Sequence, residues 1–82
     1  MNVEATIVGI VPFNIQDERY LTIYYVHDDD PDTILEARLP RSAVYAHPHP
    51  NDRVTIHYVL GVVTHIEERE ETSTTGEEKT AV

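Results

Sequence analysis

The chain has 82 residues, with 15 Asp and Glu against 6 Lys and Arg, and a formal net charge of −9. This length permits one small domain, and the absence of cysteine excludes disulfides, cysteine-ligated metal sites and thiol catalysis. No apolar run approaches the roughly 20 residues that span a bilayer, and the first residues do not read as a signal peptide. We therefore expect a cytoplasmic protein without membrane contact.

The uneven distribution of charge predicts a domain boundary. Residues 67–82 carry six Glu against Arg69 and Lys79, and only the last two of these residues are apolar. A segment with so little apolar surface to bury cannot offset the entropy lost on ordering. We predict a folded domain over residues 1–68 and a disordered acidic tail over residues 69–82.

The first predicted strand covers residues 3–11. Polar and apolar residues alternate at its start, and both faces then become apolar around Gly9. A glycine inside a strand often marks a bulge or a bend where a sheet curls. We expect Pro12 to end the strand, because proline cannot donate to the ladder, and we expect residues 14–19 to form a polar loop.

Residue type and alternation predict the next two strands. Residues 20–27 are rich in β-branched and aromatic side chains, which favour strands. Residues 28–32 contain Asp and Pro, which favour a turn, and residues 33–39 then alternate between apolar and polar. A single helical turn suits residues 41–46, which follow a proline.

The last two strands are expected on either side of a glycine. Residues 53–60 alternate, which predicts that Leu60 points inward and that His57 points outward. Gly61 suits a tight hairpin turn, so we predict a fifth strand over residues 62–68. A bend within one long strand is the alternative.

This order of elements (three strands, a short helical turn, two strands) resembles the OB-fold barrel. The resemblance covers nearly all of residues 1–68 but rests on architecture alone, so it implies no catalytic or binding residue. It implies an all-β protein, a small five-stranded OB-like barrel with a short helical turn between strands 3 and 4. An SH3-like barrel, in which the helical turn lies elsewhere, is the alternative. Closure would protect the strand edges of so small a sheet.

One candidate binding surface is the outer face of strands 2 and 3. Tyr20 and Tyr24 share this face, and Arg38 lies on the adjoining strand. Aromatic rings on this surface of an OB barrel can stack on bases while Arg holds phosphates, and Arg41 and Arg53 extend the set. The acidic charge argues against nucleic acid, because phosphate neutralisation supplies much of the affinity. A positive stripe would favour nucleic acid, and dispersed arginines would favour a protein partner.

A second candidate surface lies on the hairpin of strands 4 and 5. The predicted outward positions His57, Val59, Val63 and His65 combine apolar and imidazole side chains. Such a surface suits self-association or contact with a protein partner.

Metal binding is weakly indicated. His47 and His49 lie two residues apart in an expected extended segment, and two imidazoles form only half of a zinc site. The acidic residues 28–32 lack the spacing of a calcium-binding loop. We therefore expect no metal site and no cofactor.

Catalysis is also weakly indicated. Ser42 is the only serine in residues 1–68, no nucleophile motif surrounds it, and the glycines are isolated rather than grouped in a phosphate-binding loop. We expect a non-enzymatic interaction module that binds a protein partner or a second copy of itself. Single-stranded nucleic-acid binding is the alternative.

Overall fold

Five antiparallel strands form one sheet. The structure, a computed structural model, describes residues 1–69, so nearly all of the predicted acidic tail lies outside the described residues. In chain order the elements are β1 (Asn2–Ile15), β2 (Glu18–His27), β3 (Asp30–Pro40), a 3₁₀ turn (Arg41–Ala43), β4 (Arg53–Val59) and β5 (Val62–Glu68). The predicted all-β class with five strands and a helical turn after the third is confirmed.

The strand order β3-β2-β1-β4-β5 places β1 at the centre of the sheet. Residues 2–6 of β1 pair with β4, and residues 5–15 pair with β2. The register with β2 shifts by one residue between Ile7 and Gly9. This bulge lies where the glycine predicted one, and a bulge bends and twists its strand.

Within residues 1–69 the sheet is not closed into a barrel, so the predicted closure is not observed. β3 and β5 are the two edge strands. A parallel bridge from Val44 to Ile66 joins the segment after the 3₁₀ turn to β5. Nearer the β4–β5 turn, a cleft of about 430 Å³ separates the edges, and Tyr25 and Tyr58 are among its lining residues.

The core lies on the inner face of the sheet and follows the alternation of apolar residues. Its largest fully buried side chains come from β1, β2, β4 and β5: Ile7, Ile23, Val54, Ile56 and Ile66. Burial of one such side chain stabilises the fold by about 1.5–3 kcal/mol. The alternation in β3 also predicted its inner face, since Ala37 and Leu39 are buried.

β1 continues four residues beyond its predicted end, so the expectation that Pro12 ends the strand is wrong. Residues 16–17 both have positive φ, 49° and 70°, and form a two-residue turn closed by Ile15 and Glu18. Hydrogen-bonded and non-hydrogen-bonded pairs alternate away from such a turn, which makes Pro12 and Leu21 a non-hydrogen-bonded pair. The proline nitrogen therefore faces the edge of β1 away from β2, and no ladder bond is lost.

Candidate functional site

One end of the sheet, beside the β4–β5 turn, exposes a group of apolar side chains around a cavity of about 610 Å³. We call the residues that line it the apolar end: Met1, His27, Leu35, Tyr58, Val59, Leu60 and Gly61. Met1 is 82% exposed, Val59 is 58% exposed and Leu60 is 98% exposed. No Asp, Glu, Lys or Arg is among these seven residues. Exposed apolar side chains that lie together in this way form a candidate interaction surface.

The turn that carries Leu60 has an unusual backbone. Leu60 has a φ of 53° and Gly61 a φ of 78°, so both turn residues are left-handed, as a two-residue type I′ hairpin requires. Asn, Asp and Gly are the usual residues there, because a branched side chain is strained at positive φ. The confirmed hairpin thus moves Leu60 out of β4, and its predicted inward orientation is wrong.

A chain of hydrogen bonds lies beneath the apolar end. The Tyr58 hydroxyl lies 2.8 Å from the Tyr25 hydroxyl and 2.9 Å from His27 Nε2. Burial, together with the hydrogen bond to Tyr58, raises the pKa of Tyr25 above its ordinary value. Met1 adds backbone contacts, since its amino group donates to the Tyr58 carbonyl at 2.9 Å. These contacts hold the Tyr58 ring in place at the cavity.

The predicted self-association residues divide between two faces of the hairpin. The register of β4 with β5 shifts at Thr64, so that Tyr58 pairs with Val63 and His57 pairs with His65. Cross-strand partners share a face, and Val63 therefore packs against the core together with Tyr58. Thr64 is an extra residue in β5 without a partner in β4, so the alternation of faces reverses there. The predicted outward position of Val63 is wrong for this reason. Val59 joins the apolar end, and His57 and His65 lie on the outer face.

Polar side chains cover the outer face of β4 and β5. The rings of His57 and His65 stack, with their centroids 3.9 Å apart and an interplanar angle of 11°. Nε2 of His57 lies 2.9 Å from Oε1 of Glu67. The sequence analysis did not single out Glu67, although its spacing of two from His65 places both residues on one face of a strand.

Arg69 connects the end of β5 to β1 and to the β2–β3 turn. Its guanidinium lies 2.8 Å from a carboxylate oxygen of Glu4 and 2.9 Å from one of Asp28, and it donates to the Ala5 carbonyl at 3.3 Å. Burial alone would raise the pKa of Asp28, but hydrogen bonds from Arg69 and Thr6 outweigh it, and the pKa is lowered. This contact marks Asp28 as a structural residue.

The predicted nucleic-acid face forms only in part. Tyr20, Tyr24 and Arg38 lie on one face. In the paired strands β2 and β3, their positions alternate with the buried core positions, which face the other way. Phe13 stacks on Tyr20 with ring centroids 5.5 Å apart, an addition that the sequence analysis missed because it expected β1 to end earlier. Arg38 Nε lies 3.6 Å from a carboxylate oxygen of Glu36.

The other two predicted arginines do not extend this face. Nη1 of Arg41 donates to the carbonyls of Val44 and Tyr45 at 3.0 and 3.1 Å, which fixes the chain after the 3₁₀ turn. Arg53 begins β4 and pairs with Thr6 of β1, in the other half of the sheet. Neither arginine therefore adds to the face that carries Tyr20, Tyr24 and Arg38.

No protein-family model, no curated protein and no solved structure matches this chain. Among residues 1–69, no helix has the length and apolar character needed to cross a membrane.

Proposed function

We propose that the protein is a non-enzymatic interaction module that binds through its apolar end. The partner that we propose is a second copy of this chain. The observation that carries the proposal is Leu60, a large apolar side chain that is 98% exposed at a strained turn position. Strained residues persist where the surrounding structure enforces them and are concentrated at functional sites. Here the strained conformation presents a leucine to a partner.

Burial in a partner would repay the strain at this turn. A left-handed conformation costs roughly 1–2 kcal/mol for a residue with a Cβ atom. Complete burial of a leucine side chain contributes about 1.5–3 kcal/mol. The neighbouring Met1 and Val59 side chains add further apolar area to the same contact.

The charge distribution favours self-association at this end over other surfaces. The chain carries a net charge of −9, so two copies repel each other wherever acidic faces approach. The apolar end has no acidic side chain. A two-fold contact, in which the same patch meets itself, buries apolar surface on both copies, and none of the residues in the patch is acidic.

Sedimentation velocity over a series of protein concentrations tests this proposal. Leu60→Asn removes the apolar side chain but keeps a residue that tolerates positive φ, so we expect the variant to fold and to remain monomeric. Ile15→Asn is the matched control, because Ile15 is also exposed but lies at the far end of β1. We expect this control to associate like the parent.

A parent chain that stays monomeric at every concentration would remove the second copy as partner. Loss of association in both variants would show that general surface hydrophobicity, and not the apolar end, drives the contact. Chemical shifts in a ¹H–¹⁵N spectrum recorded across the same concentrations identify the contacting residues independently.

Single-stranded nucleic-acid binding is the second candidate function, and the aromatic surface on β1 and β2 favours it. Phe13, Tyr20 and Tyr24 present rings beside Arg38 on one face. A base stacked on Tyr24 predicts that Tyr24→Ala weakens binding by roughly 1–3 kcal/mol. An NMR titration with mixed-sequence oligonucleotides at low salt tests this function, and an unmoved spectrum would refute it.

An OB-like arrangement is part of the proposal. The 3₁₀ turn lies between β3 and β4, which is the position that the OB resemblance implies, and β1 pairs with both β2 and β4. These features favour the OB-like alternative over the SH3-like one. Nuclear Overhauser effects between backbone protons of β3 and β5 would show that the edges close in solution, and their absence would contradict closure.

A further inference from the structure

Three metal-ligating side chains come together on the outer face of the β4–β5 hairpin. His57 and His65 are direct partners in the ladder, and Glu67 follows two residues after His65. The ligand atoms of the three side chains all lie within 4.8 Å of one another. Among residues 1–69, no other group of three His, Cys, Asp or Glu side chains is this close.

The spacing of these atoms is close to that around a metal ion. With metal–ligand bonds of about 2.0–2.1 Å, neighbouring ligand atoms of a tetrahedral zinc ion lie about 3.3 Å apart. His57 Nε2 and Glu67 Oε1 are already 2.9 Å apart. The His57 and His65 rings are stacked and nearly parallel, so they must turn about their side-chain bonds before both rings can direct a nitrogen at one ion. Glu67 has an exposed side chain and can rotate toward the ion in the same way, while the ladder holds both strands.

The donor set selects the class of metal. Two imidazoles and one carboxylate suit zinc and its neighbours among the first-row divalent ions, and the same donor set occurs in zinc enzymes. Calcium and magnesium prefer a shell made of oxygen atoms.

We infer that His57, His65 and Glu67 bind one late first-row divalent metal ion, with water at the remaining coordination position. The sequence predicted no metal site, because it did not identify a third ligand to complete a pair of imidazoles. The register of β4 with β5 supplies the third ligand. A metal here ties two strands across the hairpin and is independent of the apolar end, which lies beside the turn.

A Zn²⁺ titration of the full 82-residue chain, purified without a histidine tag, tests this site. We expect one Zn²⁺ per chain by calorimetry, and we expect the ring nitrogens of His57 and His65 to shift together in ¹⁵N-detected imidazole spectra. His65→Ala and Glu67→Gln should each weaken Zn²⁺ binding at least about tenfold, because even outer-shell substitutions cost that much.

Two matched variants control for nonspecific binding. His49→Ala removes an imidazole from the predicted extended pair, which is interrupted by a φ of 62° at His47. Glu68→Gln makes the same change from Glu to Gln at the next residue of β5, which is not one of the three proposed ligands. We expect both controls to bind Zn²⁺ like the parent.

Three results would overturn the inference. The first is the absence of ring shifts for His57 and His65 when Zn²⁺ is in molar excess. The second is unchanged affinity in both His65→Ala and Glu67→Gln, provided that their ¹H–¹⁵N spectra show a folded chain. The third is an equal loss of affinity in His49→Ala, which would assign the metal to a different histidine.

Discussion

Replacing Leu60 by Asn should stabilise the isolated domain, even though it removes a large apolar side chain. Leu60 is 98% exposed, so almost no buried area is lost. Its φ of 53° costs roughly 1–2 kcal/mol for most residues, whereas the short polar side chain of Asn can hydrogen-bond locally and tolerates this conformation. We expect the free energy of unfolding to rise by about 1 kcal/mol, which corresponds to about 4–8 °C in Tm for a domain of this size.

Urea denaturation at a protein concentration that keeps the chain monomeric measures this change without a contribution from association. Leu60→Ala separates strain from exposure, because alanine also removes the exposed leucine side chain but lacks the local hydrogen bonds that let Asn tolerate positive φ, and it should gain much less stability. If Leu60→Ala stabilises the domain as much as Leu60→Asn does, strain is not the cause. If Leu60→Asn leaves the stability unchanged, the turn does not store the energy assigned to it.

Three further predictions concern the core and two titrating groups. Ile56→Ala should cost about 2–5 kcal/mol in urea denaturation, because Ile56 is fully buried, whereas exposed Ile34→Ala should change stability by less than about 0.5 kcal/mol. The lowered pKa of Asp28 means that its ionised carboxylate stabilises the folded state at pH values above the ordinary pKa of about 3.9. This stabilisation is lost as the pH falls through the pKa that Asp28 has in the folded state. Arg69→Met should weaken this acid dependence in denaturation curves recorded at several pH values, and an unchanged acid limb would contradict it. The raised pKa of Tyr25 predicts that stability falls as the pH rises above about 10, and alkaline denaturation curves that do not move would refute this.

Local alternation predicted the inner faces of the strands well. Ala37 and Leu39 in β3 and Val54 and Ile56 in β4 are buried as their period of two indicates. This part of the fold is readable because each choice depends only on residues two positions apart. The hairpin at Gly61 is also readable, because glycine is itself a local turn signal.

The remaining features depend on the register between paired strands. Whether Pro12 interrupts a ladder depends on which side of β1 its nitrogen faces, and the hairpin turn sets that side. The orientation of Val63 depends on the extra residue at Thr64 in the pairing with β4. Glu67 becomes a candidate ligand only when the same register brings His57 opposite His65. No pattern within a single strand carries this information.

The central position of β1 has a consequence for the order in which the chain folds. β1, β2 and β3 follow one another through short turns, whereas pairing of β1 with β4 joins Thr6 to Arg53 across most of the domain. Closing a long loop costs more entropy than closing a short one, and nonlocal pairing is slow. We expect the three-stranded unit to form first during synthesis, with one edge of residues 2–6 unpaired until β4 emerges. A chain that stops before β4 would leave this edge open to pairing with other chains.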